Sequence, residues 1–289
     1  MIRFDYADPT TLAEASALLL AHGDEACLMA GGTDLLVEIK EQVRRPRVVV
    51  DLKRIAGLDH LGIDADGALR FGALVTSRRI ECDERVREQW PGLHQAVVEL
   101  GSIQVRHRAT VVGNICCASP SADTLPPLIA DGATLHLHGT AGDREVAMED
   151  FFTGPGRTVL RAGEIVLQVR VPPPTPGSGG AYIKHGRRKA MELATVGVAV
   201  SLALDEAGRV AQARIALGAV AATAMRARGA EAALRGEPPG DALFAHAGEL
   251  AMAESRPISN VRASAAYRRE MVGVLTRRAL AMAFARARQ

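Results

Sequence analysis

The sequence predicts an α+β protein: an α/β unit over residues 1–175, then a smaller antiparallel sheet with helices over 176–289. Three observations carry this. The first 52 residues alternate strand and helix patterns as β-α-β-α-β, the signature of parallel pairing. A run rich in proline and glycine, Pro172 to Gly180, separates the halves. Beyond it, Val196–Asp205 and Val210–Ala219 are apolar strand runs joined by Glu206-Ala207-Gly208-Arg209, and helical patterns follow to the end.

The elements are expected in this order. Phe4–Asp8 is extended, and Pro9-Thr10-Thr11 caps a helix over Leu12–His22. Ala26–Ala30 is a buried strand broken by Gly31-Gly32, and Thr33-Asp34 caps a helix from Leu35 to about Gln42. Arg47–Leu52 is β-branched and makes the next strand. Leu58–Ile63 and Ala68–Leu74 flank Asp64-Ala65-Asp66-Gly67 as a hairpin, opening a second subdomain near residue 56. Thr76 caps a helix through Val86; Trp90-Pro91-Gly92 interrupts, and Leu93–Leu100 is helical. Ala109–Gly113 is a short apolar strand, and Pro126-Pro127 begin a helix to Ala130. Ala133–His138, Glu145–Ala147 and Glu164–Val171 are strands, with a helix over Met148–Thr153. In the last third Ala181–Gly186 is a strand, Arg187-Arg188-Lys189 a basic turn, and Arg226–Leu234, Leu243–Ala253 and Ala263–Ala285 helices. The many arginines of the last helix suit a solvated or partner-facing surface.

Composition excludes several classes. The formal charge of +2 and the 3% aromatic content point to neither nucleic acid nor an anionic membrane. No apolar run has transmembrane length and no signal peptide precedes Asp8, so a cytoplasmic protein is expected. Cys27, Cys82, Cys116 and Cys117 have neither zinc nor iron–sulfur spacing. His136 and His138 share a strand face, with no third ligand nearby in sequence. G-x-S-x-G, HExxH and paired-carboxylate motifs are absent, and no catalytic residue is assigned.

Two stretches stand out as anion cradles. Leu28-Met29-Ala30-Gly31-Gly32-Thr33-Asp34-Leu35 runs from strand through a glycine turn into a helix. Thr110-Val111-Val112-Gly113-Asn114 repeats that pattern, and a small polar loop through Asp123 follows. Such junctions aim backbone N–H groups at an anion. Neither a G-x-G-x-x-G nor a P-loop motif occurs. Two cradles suit a diphosphate, and we read them as the site of one flavin dinucleotide.

AGGTDLL, RATVVGNICCASPSAD, FFTGPGRTVL…EIVLQVRVP, YIKHGRRKAMELATVG and VRASAAYRREMVGVLTRRAL occur in that order. The ordered set resembles the FAD-binding (medium) subunits of the molybdenum hydroxylases, the carbon monoxide dehydrogenase and xanthine dehydrogenase family, over essentially the whole chain. The resemblance implies an FAD domain of the vanillyl-alcohol-oxidase type, with subdomains of about 1–55 and 56–175, and a C-terminal domain of the carbon monoxide dehydrogenase flavoprotein type. It implies that Leu28 to Leu35 form the first diphosphate loop, and Thr110, Val111, Gly113 and Asn114 the second. Val112 replaces a glycine of the family's T-I-G-G-N. It places Asp123 near the ribose or diphosphate, Leu100 near the adenine, and Val166 and Lys184 near the isoalloxazine ring. It implies an electron-transfer subunit working with a large molybdopterin subunit and a small [2Fe–2S] subunit, as a dimer of heterotrimers. The four-cysteine insertion of the 4-hydroxybenzoyl-CoA reductase branch is missing here. The alternative is a self-contained flavin oxidoreductase, with Lys184, His185 and Glu192 as the available bases.

Overall fold

The computed structural model describes residues 2–289 of the chain. The first sheet is parallel, with β1 (Asp5–Ala7) and β2 (Ala26–Met29) on either side of β3 (Val48–Asp51). All four residues of β3 are buried, as a central parallel strand requires. Helix α1 (Leu12–His22) is capped by Thr11, whose hydroxyl accepts from the Glu14 amide. Helix α2 (Leu35–Lys40) follows β2 directly. Asp34 at its start makes no side-chain cap, against expectation.

The second sheet is antiparallel, in the order β4 (Leu61–Ile63), β5 (Leu69–Gly72), β10 (Ile165–Val171), β6 (Thr134–His138), β7 (Arg144–Ala147). Between β5 and β6 lie six short helices: α3 (Ser77–Glu81), α4 (Glu84–Gln89), α5 (Pro91–Val98), α6 (Ile103–Arg106), α7 (Val111–Cys117) and α8 (Leu125–Ala130). The single helix expected after Thr76 is therefore two. Asp83 stops the first and caps the second by accepting from the amides of Arg85 and Val86.

The strand expected over Ala109–Gly113 is a correction of more consequence. Thr110 is instead the N-cap of α7, and its hydroxyl accepts from the Gly113 amide at 2.9 Å. A local cap outweighs the β propensity of Thr-Val-Val. Gly113 thus lies inside a helix. The helix expected over Met148–Thr153 is one 3-10 turn, Met148–Asp150, followed by the hairpin β8 (Phe152–Gly154) and β9 (Arg157–Thr158).

The third sheet is antiparallel: β11 (Ser178–His185), β12 (Val196–Leu204), β13 (Val210–Gly218) and β14 (Met225–Arg226). Ser178-Gly179-Gly180 belong to β11 rather than to a linker, pairing with Ala203, Leu202 and Ser201. Gly179 is required by packing, because a Cβ there would lie 2.1 Å from the Ala283 carbonyl oxygen.

Helices α9 (Arg228–Leu234), α10 (Asp241–Glu254) and α11 (Ala265–Ala287) cover one face of this sheet, with Val198, Val200, Ile215 and Leu217 in their core. The alternate residues Tyr182, Ala199 and Ala216 face the other way, into the core built by α5, α7 and α8. The third sheet is thus buried on both faces, which ties the two units together. The arginines of α11 are not all solvated. Arg268 is 3% exposed, and it donates to the carbonyls of Thr195 and Ala219 and to Asn260 Oδ1.

Candidate functional site

The two glycine-bearing stretches meet. A Cβ on Gly31 would lie 2.1 Å from the Arg108 carbonyl oxygen and 3.0 Å from Ala109 Cα, so the first loop rests directly on the chain that enters α7. Gly32 has φ +74°, a conformation that favours glycine. Leu28 through Thr33 and Leu35 are half-buried, and Asp34 is exposed. Asp34 also reaches the second stretch. Burial first, and then the charges of Asp34 and Glu38, push the Cys117 thiol up to about 11. Burial pushes Cys116 up to about 12. Burial thus favours the protonated thiol at both cysteines.

The backbone donors of this junction are available. Among the described residues, no acceptor takes the amides of Gly31, Gly32, Thr33, Asp34 or Leu35; the α2 bonds begin with Leu36 to the Gly32 carbonyl. At the start of α7 the Gly113 and Asn114 amides are used by Thr110, and that of the fully buried Val111 faces the chain just past β5's end across the Thr76–Thr110 bridge, whereas that of Val112 has no backbone acceptor. Unpaired amides ahead of a helix suit an anion, and a run of five, Gly31 to Leu35, suits a diphosphate. The residues present therefore fit the group predicted from the sequence. Asn114 is held in place by Thr124, whose hydroxyl donates to Asn114 Oδ1 at 2.7 Å. Thr110 and Val111 are buried at the base of the turn.

Asp123 and Lys184 come together although 61 residues separate them. Lys184 Nζ donates to Asp123 Oδ2 at 2.8 Å and to the Glu99 carbonyl at 2.9 Å. Tyr182 Oη donates to Asp123 Oδ1 at 2.9 Å. Both carboxylate oxygens of Asp123 thus have protein partners, and the pair joins the loop before α8 to the third sheet. Burial raises the Asp123 carboxyl, the Lys184 and Tyr182 bonds restrain the rise, and it ends at about 6. Burial, and then the Asp123 charge, pushes the Tyr182 hydroxyl well above its ordinary value.

Leu100 is 7% exposed, and its carbonyl accepts from Arg106 Nη1 at 3.0 Å. Val166 is 3% exposed on β10, paired with Leu137 and packed in the core on which α7 rests. Tyr182, Glu81 and Arg106 take part around the site but carry no local sequence signal. Their partners lie 59 and 25 residues away.

His136 and His138 both turn to Asp143, at 3.2 and 2.7 Å. No group of three or more His, Cys, Asp or Glu among the described residues could hold a metal ion.

Residues 2–174 match the model of the FAD binding domain in molybdopterin dehydrogenase, and residues 181–283 that of the CO dehydrogenase flavoprotein C-terminal domain. The chain is 33% identical over 288 residues to the putative xanthine dehydrogenase FAD-binding subunit of Escherichia coli (strain K12), covering 98% of each. It is 34% identical over 285 residues to the carbon monoxide dehydrogenase medium chain of Hydrogenophaga pseudoflava, again covering 98% of each. A solved structure of carbon monoxide dehydrogenase from that organism, lacking the Mo-pyranopterin moiety, superposes with a TM-score of 0.94 at 35% identity over 99% of both chains. Quinoline 2-oxidoreductase from Pseudomonas putida 86 superposes with a TM-score of 0.92 at 31% identity, also over 99% of both.

Proposed function

The chain belongs to the family of FAD-binding subunits of molybdopterin dehydrogenases, and from that membership we propose how its residues serve electron transfer. It is an oxidoreductase flavoprotein subunit of a molybdenum hydroxylase type. The observation that carries the residue assignment is the junction of Gly31 with Arg108, which sets the free amides of Gly31 to Leu35 against the chain that enters α7. The amides of Gly31 to Leu35 would hold the FAD diphosphate, with Val111 at the buried base of the second loop. Leu28, Met29 and Ala30 line the approach, and Thr110, Gly113 and Asn114 shape the second loop. Leu100 serves the adenine side, Val166 and Lys184 the ring side, and Asp123 orients Lys184. When bound, FAD accepts single electrons and releases them in pairs, which joins iron–sulfur clusters to a two-electron acceptor.

The chain's own residues bind and orient, and none is needed as acid, base or nucleophile. The candidates for an independent substrate site are already engaged: Lys184 by Asp123 and Glu99, His185 by Tyr267 at 3.0 Å, and Glu192 by Arg187 and Arg188. The reading therefore places substrate oxidation on a large molybdopterin subunit and electron delivery on a small [2Fe–2S] subunit, in a dimer of heterotrimers. The unit boundary falls near Thr175. No described helix is long and apolar enough to cross a membrane, and the proposed location is the cytoplasm.

The test uses the chain alone and with its partners. Purified alone it should carry one FAD that acid precipitation releases to the supernatant, be reducible by dithionite, and hydroxylate nothing. Flavin retained in the acid pellet, FMN in place of FAD, or hydroxylation by the chain alone would overturn the scheme.

The basic turn is the proposed edge of the docking surface for the iron–sulfur subunit. Arg187 and Arg188 are exposed, at 3.5 and 3.7 Å from Glu192. Charges at an interface rim act mainly on association rate and its salt dependence. Arg187→Glu with Arg188→Glu should slow complex assembly about tenfold at low salt, and much less at high salt. An unchanged low-salt rate would show that docking occurs elsewhere.

A further inference from the structure

We infer that the largely buried pair Glu81–Arg106 is the positioning device of the flavin site, fixing the segment that joins the two cradles. The inference rests on the FAD-binding reading of those loops. Residues 100–110 carry Leu100, the Arg108 carbonyl that supports Gly31, and the Thr110 cap of α7. Their only regular structure is α6, one turn long. Arg106 is 8% exposed, and the three guanidinium nitrogens each have a partner. Nε donates to Glu81 Oε2 at 2.8 Å, Nη2 to Glu81 Oε1 at 3.1 Å, and Nη1 to the Leu100 carbonyl at 3.0 Å.

Glu81 is equally committed. Its side chain also accepts from Arg78 at 2.9 Å, and its carbonyl lies 3.1 Å from His94 Nε2. Burial works to raise its carboxyl, but the Arg106 and Arg78 hydrogen bonds outweigh this and hold it below the usual carboxylate range. Four residues earlier on α3, the Ser77 amide donates to the Ala109 carbonyl at 2.8 Å. Helix α3 therefore grips the segment at two points, Arg106 and Ala109, on either side of Arg108. The planar, bidentate guanidinium sets an orientation that a point charge cannot set. With Arg106 cut back, the Leu100 carbonyl loses its donor, and Arg108 is held from one side only. The spacing between the Gly31–Leu35 amides and the start of α7 is then no longer fixed.

A matched control exists in the same protein. Arg144 makes the same kind of bidentate bond to Glu164, at 2.7 and 2.8 Å, and donates to the Val159 carbonyl at 2.9 Å, but on β7, away from both cradles. The experiment titrates FAD into the full-length apo-chain by flavin fluorescence and measures unfolding of each apo-variant. Arg106→Met and Glu81→Gln are expected to weaken FAD at least about thirtyfold. Arg106→Lys should recover only part of the loss. Arg144→Met should weaken FAD by less than about threefold while lowering apo-stability comparably. If Arg106→Met fails to fold, Glu81→Gln and Arg106→Lys carry the same comparison. FAD affinity within threefold of wild type in those variants would overturn the inference. So would an equal loss in Arg144→Met, which would reduce the pair to ordinary stabilisation. A wild-type chain that takes up no FAD would instead overturn the cofactor assignment itself.

Discussion

Gly31→Ala is expected to strip the chain of its flavin while leaving both units folded. The added methyl would lie 2.1 Å from the Arg108 carbonyl oxygen and 2.8 Å from its carbon, and both are backbone atoms with no rotamer to yield. The loops must part. Overpacking of this kind costs about 2–3 kcal/mol, which corresponds to a loss of about 30- to 150-fold in FAD affinity if the bound state requires the loops closed. Gly62→Ala serves as the control, since no atom lies within 4 Å of its added Cβ. Gel filtration followed by the flavin-to-protein absorbance ratio reads the result. Normal flavin content in Gly31→Ala would show that the two loops do not hold one ligand between them. Gly32→Leu should act through backbone strain at φ +74°. Gly113 acts differently, because its backbone is helical and a Cβ there would meet only the Thr110 hydroxyl, at 2.9 Å. Gly113→Leu therefore works by disturbing the Thr110 cap.

The second large effect is expected at Lys184. Lys184→Met leaves Asp123 buried with Tyr182 as its one remaining partner. Breaking a buried pair from one side costs about 3–5 kcal/mol, and the loss falls where the third sheet meets the loop before α8. The pH dependence has a definite sign. The Asp123 carboxyl is already raised in the folded protein, to about 6 from 3.8. A raised folded pKa means that folding favours the protonated acid. Its contribution is complete below about pH 4 and is lost as pH rises through 6. Ionisation at neutral pH therefore already costs wild type about 3 kcal/mol. Without Lys184 the carboxyl rises further, so the deficit of the variant should be greatest near pH 8 and shrink towards pH 5. Urea unfolding at the two pH values checks this. A deficit independent of pH would show that Lys184 stabilises through its Glu99 contact or its packing rather than through Asp123. The double variant Asp123→Asn, Lys184→Met should regain much of the stability at pH 8.

The parallel start of the fold was legible because its signals are local. The β-branched run Val48–Val50 and the cap at Thr11 each need only neighbours in sequence. The hairpin of β12 and β13 was legible for the same reason, its strands being joined by the five residues Asp205 to Arg209. Misreadings came where two local preferences compete. Thr110-Val111-Val112 has strand composition, yet a single bond donated by the Gly113 amide to the Thr110 hydroxyl makes it a helix start. Ser178-Gly179-Gly180 has the composition of a linker, yet α11 lies so close that only glycine fits at Gly179.

The sequence by itself determined the family and its cofactor, through two glycine-bearing loops and an ordered set of motifs along the whole chain. Their chemistry lies in backbone amides and small residues that a one-dimensional pattern displays. Tertiary structure alone decided the pairings that hold the loops in register: Gly31 on Arg108, Glu81 with Arg106, Asp123 with Lys184 and Tyr182. Each joins residues that are 25 to 77 positions apart, as Glu81 and Arg106 or Gly31 and Arg108 are. A buried charge is stable only beside its partner, and which partner that is depends on how sheets and helices pack rather than on any residue near it in the chain.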